Sequence, residues 1–154
     1  MAITNVSSST FLSDTINLIR DKIKNNVTDP LASSRSSIEK FVLTSYPQRA
    51  VTYPIITVTD RNITQPSRLG MASESTLMRI DVEIRVWARN VKERDELTQQ
   101  IYDYLRTNQL DKTTGLADSN LHDFTLMSAV NVDESGENAV KSKVMEVRFL
   151  LLIN

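Results

Sequence analysis

Three features of the sequence predict an α+β fold, with two main helices packed on a mostly antiparallel or mixed sheet of four to five strands. The first is Leu77–Arg89 (LMRIDVEIRVWAR), where Met78, Ile80, Val82, Ile84, Val86 and Ala88 share one parity. Arg79, Asp81, Glu83, Arg85 and Arg89 share the other, with Trp87 the single exception. A period of two means a long strand with one face in a core and one ionic face. The second feature is a pair of stretches, near residues 12–23 and 97–105, whose apolar residues recur at helical spacing. The third is order: helix, strand, strand, helix, strand, strand, with no internal repeat. Strands in consecutive pairs flanked by helices argue α+β.

Taken in order, residues 1–9 are small and polar and read as a loose arm. Leu12, Ile16, Ile19 and Ile23 then form one helical stripe, with Ser9, Thr10 or Ser13 available as its cap. Asn25–Asn26 and Asp29–Pro30 end it, because the residue before a proline resists the helical region. The serine-rich DPLASSRSSIEK reads as an exposed connection. Phe41–Ser45 is a short strand-like run, and Pro54–Thr59 is a stronger one, rich in β-branched residues. Pro54 suits a first strand position, where a missing donor does no harm. Residues 60–76, containing Pro66, Gly70 and several small polar residues, read as a long projecting loop; loops of that length are usually functional or disordered.

After the long strand, Asn90 caps a second helix and Glu93 stands at the capping-box position. Leu97, Ile101, Tyr104 and Leu105 line its apolar face, and Asn108 with Thr113–Gly115 closes it. Phe124, Leu126, Ser128, Val130 and Val132 alternate as the next strand, and DESGEN (133–138) is a turn. Lys143–Ile153 is the last strand. Its end is apolar at every position, which predicts cover on both faces. The whole, 1–154, reads as a single domain.

Composition narrows the function. A net charge of -1 supplies no global field toward nucleic acid or an anionic membrane. No apolar run approaches the roughly 20 residues of a membrane span, and no leader peptide is read at the start. A soluble chain, intracellular at synthesis, is expected. The absence of cysteine excludes disulfides, thiolate metal sites and cysteine nucleophiles. The one histidine, His122, cannot face its neighbour Asp123 across a strand, so a general base is weighed against an ordinary loop or strand-edge residue. Acids are scattered, three glycines cannot write a phosphate loop, and no serine sits in a GxSxG elbow. No metal and no cofactor is expected, and catalysis is disfavoured.

The candidate site is ionic. Arg61, Arg68, Arg79, Arg85 and Arg89 gather in and before the long strand, with Asp81 and Glu83 interleaved. Such a face suits a subunit interface, a DNA-facing channel or plain solvent; the interleaved acids favour cross-strand or cross-subunit ion pairs over phosphate binding. Trp87 stands between Arg85 and Arg89, which allows guanidinium stacking on its indole. A helix covering that end of the sheet would explain it equally well. A few-stranded open sheet also exposes unpaired edges, and these can join neighbours head to tail in a ring.

The layout resembles the tail terminator (tail completion) proteins of long-tailed bacteriophages. Three segments carry the likeness: Phe11–Val27 leading into FVLTSYPQRAVTYPIITVTDR, the strand-to-helix run LMRIDVEIRVWARNVKERDELTQQIYDYLRTN, and the closing pair Phe124–Val132 and Lys143–Ile153 split by DESGEN. The resemblance implies a mixed α/β sheet with helices on one side and a structural virion protein assembled in the host cytoplasm. It implies a homo-oligomer, a hexameric ring that caps the tail tube protein and docks to a neck or connector protein. By the same analogy the 60–76 loop projects toward a neighbour or the tube, and the ionic face lies at subunit contacts or near channel DNA. No catalytic residues carry over and no membrane is involved. Alternatives are another neck component, such as a head-closure or head–tail adaptor protein, or a small cytoplasmic enzyme or ligand-binding domain.

Overall fold

The computed structural model describes residues 11–36, 38–48, 51–68, 76–107, 121–132 and 140–153. The expected arm 1–9, Thr113–Gly115 and the DESGEN turn lie outside the described residues, as does 69–75 of the expected loop. The elements are α1 (Phe11–Asn26), β1 (Val42–Leu43), β2 (Ile55–Arg68), β3 (Thr76–Ala88), α2 (Val91–Thr107), β4 (Leu121–Asn131) and β5 (Lys141–Ile153). The fold is α+β, two helices on one five-stranded mixed sheet in the order β1-β2-β3-β5-β4. Among the described residues only β1 and β2 run parallel; every other pair is antiparallel.

The alternation in β3 does what its period dictates. Ile80, Val82, Ile84, Val86 and Ala88 are fully buried beneath the helices, while the odd-numbered residues from Leu77 to Trp87 face the other way and stay half-buried. Opposite them on β5, Met145, Val147, Phe149 and Leu151 complete the core. α1 lays Ile16, Ile19 and Ile23 onto it, and α2 adds Leu97, Ile101, Tyr104 and Leu105. Each such side chain contributes about 1.5–3 kcal/mol by leaving water. α1 packs on β1 and β2, and α2 on β3 and β5. At the end of β5, Leu150 and Leu152 are only half-buried on the face away from the helices, so the expected cover on both faces is complete on one.

Asn90 caps α2: its side-chain oxygen accepts the Glu93 N–H at 2.9 Å. The Glu93 carboxylate reaches back to the N–H of Arg89 rather than of Asn90, one residue earlier than a capping box requires. Glu93 also ion-pairs with the Arg89 side chain. Burial pushes the Glu93 carboxyl up, but the Arg89 side chain and N–H together hold it below its usual value.

The loop expected over 60–76 is corrected. Residues 60–68 belong to β2, which forms a long hairpin arm with β3 as far as Arg68 opposite Thr76. Alternation is lost in the sequence because β2 carries register shifts at Asp60/Asn62 and Thr64/Ser67. At the first, Arg61 is an extra residue. It flips the parity, so that Ile63 opposes Ile80 on the core face where Ile56 and Val58 already lie.

β4 departs from expectation for the same reason. Shifts at His122/Thr125 and Leu126/Ser128 break the single apolar parity Phe124, Leu126, Ser128, Val130, Val132 into two. Asp123, at the first, has a φ of 52°, a left-handed conformation that aspartate tolerates. Phe124 reaches the core, stacking at 5.6 Å on Phe149 and 6.0 Å from Tyr102 of α2. Leu126 follows on the helix side, opposite Val147, but Ser128 and Val130 turn to the other face, opposite Glu146 and Val144.

The connection from α1 to β2 is not a plain exposed linker. Arg35, with a side chain 5% exposed, pairs with Asp29 at 2.8 Å and donates to the carbonyls of Thr52 and Pro54. Its guanidinium also lies 5.5 Å from the Phe41 ring centre. Burial raises the Asp29 carboxyl, but Arg35 and the Leu31 N–H outweigh it and hold the group below its usual value. Pro54 precedes β2 by one residue, in a cis peptide with Tyr53.

Candidate subunit interface

The sheet face opposite the helices gathers most of the sequence-predicted residues. Arg79, Asp81, Glu83, Arg85 and Trp87 project from β3, and the Arg61 bulge brings its guanidinium over the same face. β5 adds two groups the sequence reading passed over, Glu146 and Arg148. They alternate against Met145, Val147 and Phe149 as the β3 charges alternate against their apolar neighbours, so the signal was present.

The registers set the pairing. Arg148 stands opposite Asp81 and bonds it at 2.7 Å. Glu83 stands opposite Glu146, a like-charge pair that a sheet disfavours. Arg61 resolves it, reaching Glu83 at 2.8 Å and Glu146 at 3.4 Å. The bulge that restores core parity to Ile63 therefore also delivers the cation that two facing carboxylates need.

Trp87 is explained by stacking and by cover from a connection rather than a helix. The Arg85 guanidinium lies 3.8 Å from the indole centre, and Tyr46 packs against the ring at 4.9 Å. The indole N–H donates to Thr57 Oγ1 at 3.2 Å. Arg85 also donates to Ser142 Oγ, which donates in turn to the Val132 carbonyl. Stacked in this way, Arg85 leaves its buried Nε without an acceptor among the described residues, as does Arg79.

Two of the predicted residues lie apart. Arg89 is off the face at the start of α2, held by Glu93. Arg68 closes β2 opposite Thr76, at the far end of the hairpin arm. His122 is half-buried on β4 opposite Leu150. Asp95 on α2 bonds Arg94 and Lys143 of β5, and both bonds hold its carboxyl below the usual value. Among the described residues no three of His, Asp or Glu converge as metal ligands, and no helix is long and apolar enough to cross a membrane.

No protein-family model matches the chain, and no curated protein matches it in sequence.

The edges of the sheet complete the site. β1 covers β2 only at Ile56 and Thr57, so past Thr57 no strand pairs with the outer side of β2 among the described residues. β4 is the opposite edge, and Leu126, Met127, Val130 and Val132 on or just past it are 38–54% exposed. Phe124–Val132 carries no charge at all. A long uncharged edge with apolar side chains is the kind that pairs with another strand. At the β1 side, Ile38 is 65% and Tyr46 44% exposed.

Proposed function

We propose that the protein is a tail terminator of a long-tailed bacteriophage. In this reading its copies form a ring, six-fold in the family it resembles, that covers the last ring of the tail tube and offers its other side to the neck. The mechanism is binding: polymerisation stops where ring surfaces occupy the growing end. Its place is the virion, after assembly in the host cytoplasm, and channel DNA passes close by without sequence-specific contact.

The observation that carries the reading is a sheet with two long edges that no strand pairs among the described residues, one of them uncharged and apolar. Such a sheet is suited to head-to-tail repetition. The ionic face agrees with it. Arg61, Glu83, Glu146, Arg148 and Asp81 satisfy one another within the subunit, which leaves the edges as the surfaces seeking a partner.

The test is assembly. Light scattering after size exclusion and negative-stain images are expected to give rings, and added protein is expected to halt growth of purified tail tubes. A species that stays monomeric and leaves tube length unchanged refutes the reading. Rings that bind purified necks but not tubes move the assignment to an adaptor.

A further inference from the structure

We infer that β4 of one copy pairs with the free outer edge of β2 in the next, so that one antiparallel sheet runs from subunit to subunit. The inference deepens the ring reading above and rests on it. Within one copy β2 and β4 run in opposite directions, because each step across β2, β3, β5 and β4 is antiparallel. Repetition that preserves strand direction therefore sets β4 antiparallel to the neighbour's β2.

The rows of the sheet show what would meet. One row runs Leu43, Thr57, Arg85, Val144, Val130, and another runs Asn62, Asp81, Arg148, Thr125. At the first level one edge ends in exposed Val130, and the other ends at β1, flanked by exposed Ile38 and Tyr46. At the second level Thr125 on one edge answers Asn62 on the other, both exposed and polar. Between these levels Thr59 on one edge answers Ser128 on the other, so polar meets polar twice along the free part of β2, while exposed Asp60 stands at the level of Leu126.

Six of the seven exposed large apolar residues among the described residues, Leu126, Met127, Val130, Val132, Ile38 and Tyr46, lie in or near the two edges. Pairing β4 with itself would cover only one of these edges. A head-to-tail junction covers both in every copy. Of the charges on β2, Arg61 is already turned inward onto Glu83 and Glu146, while Asp60 beside it is exposed.

The chain has no cysteine, so introduced pairs report contacts directly. Asn62→Cys is combined in turn with Thr125→Cys, Ser128→Cys and Val130→Cys, three β4 positions on the face of Asn62. Mild oxidation is expected to give a ladder of covalent multimers with at least one pair, while each β4 single variant stays a monomer on a non-reducing gel. Val130→Lys is expected to raise the concentration at half-assembly at least tenfold with an unchanged thermal melt.

Covalent dimers from a β4 single variant overturn the inference, since β4 then meets itself. Rings without a ladder from any pair, or unimpaired assembly of Val130→Lys, overturn this junction and leave the ring reading standing. A ladder from protein that does not cap tubes keeps the junction and overturns the terminator reading. A monomer at every concentration overturns both.

Discussion

Replacing Arg61 with methionine removes one cation and leaves two carboxylates facing each other. The methionine keeps an apolar stem at the bulge, so the change is mainly one of charge. Arg61 is 54% exposed, Glu146 45% and Glu83 19%, so each ion pair is discounted to the roughly 0.2–1 kcal/mol of a solvated pair. Glu83 and Glu146 are direct cross-strand partners, and their unrelieved repulsion adds a similar amount, roughly 0.2–1 kcal/mol. The sum is about 0.6–3 kcal/mol, or a fall in Tm of about 1–12 °C for a domain of this size. Scanning calorimetry of Arg61→Met, Glu146→Gln and the double variant separates the parts. Glu146→Gln in the Arg61→Met background is expected to recover about a third of the loss, because it removes the repulsion. In the parent chain the same change costs little, since Arg61 keeps Glu83. At 1 M salt, where the screening length is about 3 Å, the differences shrink. An Arg61→Met variant as stable as the parent, or a double variant no better than the single, refutes the bridging role.

Two further outcomes follow from the connection between α1 and β2. Arg35→Ala strands the Asp29 carboxylate and frees the carbonyls of Thr52 and Pro54, with an expected loss of about 2–4 kcal/mol in urea unfolding, far more than for an exposed arginine such as Arg106. Because the Asp29 pKa is lowered on folding, the unfolded chain binds the extra proton; this stability is present above the ordinary value near 3.8 and is lost as pH falls through the lower folded value. The gap in urea midpoint between the parent and Asp29→Asn is therefore expected to be wide at pH 7 and to narrow below pH 3.8, and a gap constant with pH refutes the linkage.

Regular periodicity was readable in the sequence; its interruptions were not. The strict alternation of β3, the α2 stripe from Leu97 to Leu105 and the Asn90 cap are patterns written within a few residues of sequence, so spacing alone reveals them. The bulges at Arg61 and in β4 are resolved only by a partner strand, and without that partner β2 beyond Thr59 looks like loop. Arg35 was hidden for a similar reason. A single arginine in a serine-rich run announces nothing until Asp29, Thr52 and Pro54 converge on it. The ionic face was half legible: its β3 members stood out, while Glu146 and Arg148 needed the β3–β5 register to join them.

The position of β5 has a consequence for the order of events during synthesis. Val82 pairs with Val147, and Leu126 pairs with Val147 from the other side. β3 and β4 thus never touch, and both must wait for a segment translated after them. α1, the β2–β3 arm and α2 can take shape as the chain emerges, but their core stays open until Phe149 and Leu151 arrive. Joining pieces so far apart in sequence carries a loop-closure entropy that slows folding. Closure is therefore a late, near all-or-none step. In the interval the bare edge of β3 is as adhesive as that of β4, and at high synthesis rates it is the stretch most exposed to mispairing between nascent chains.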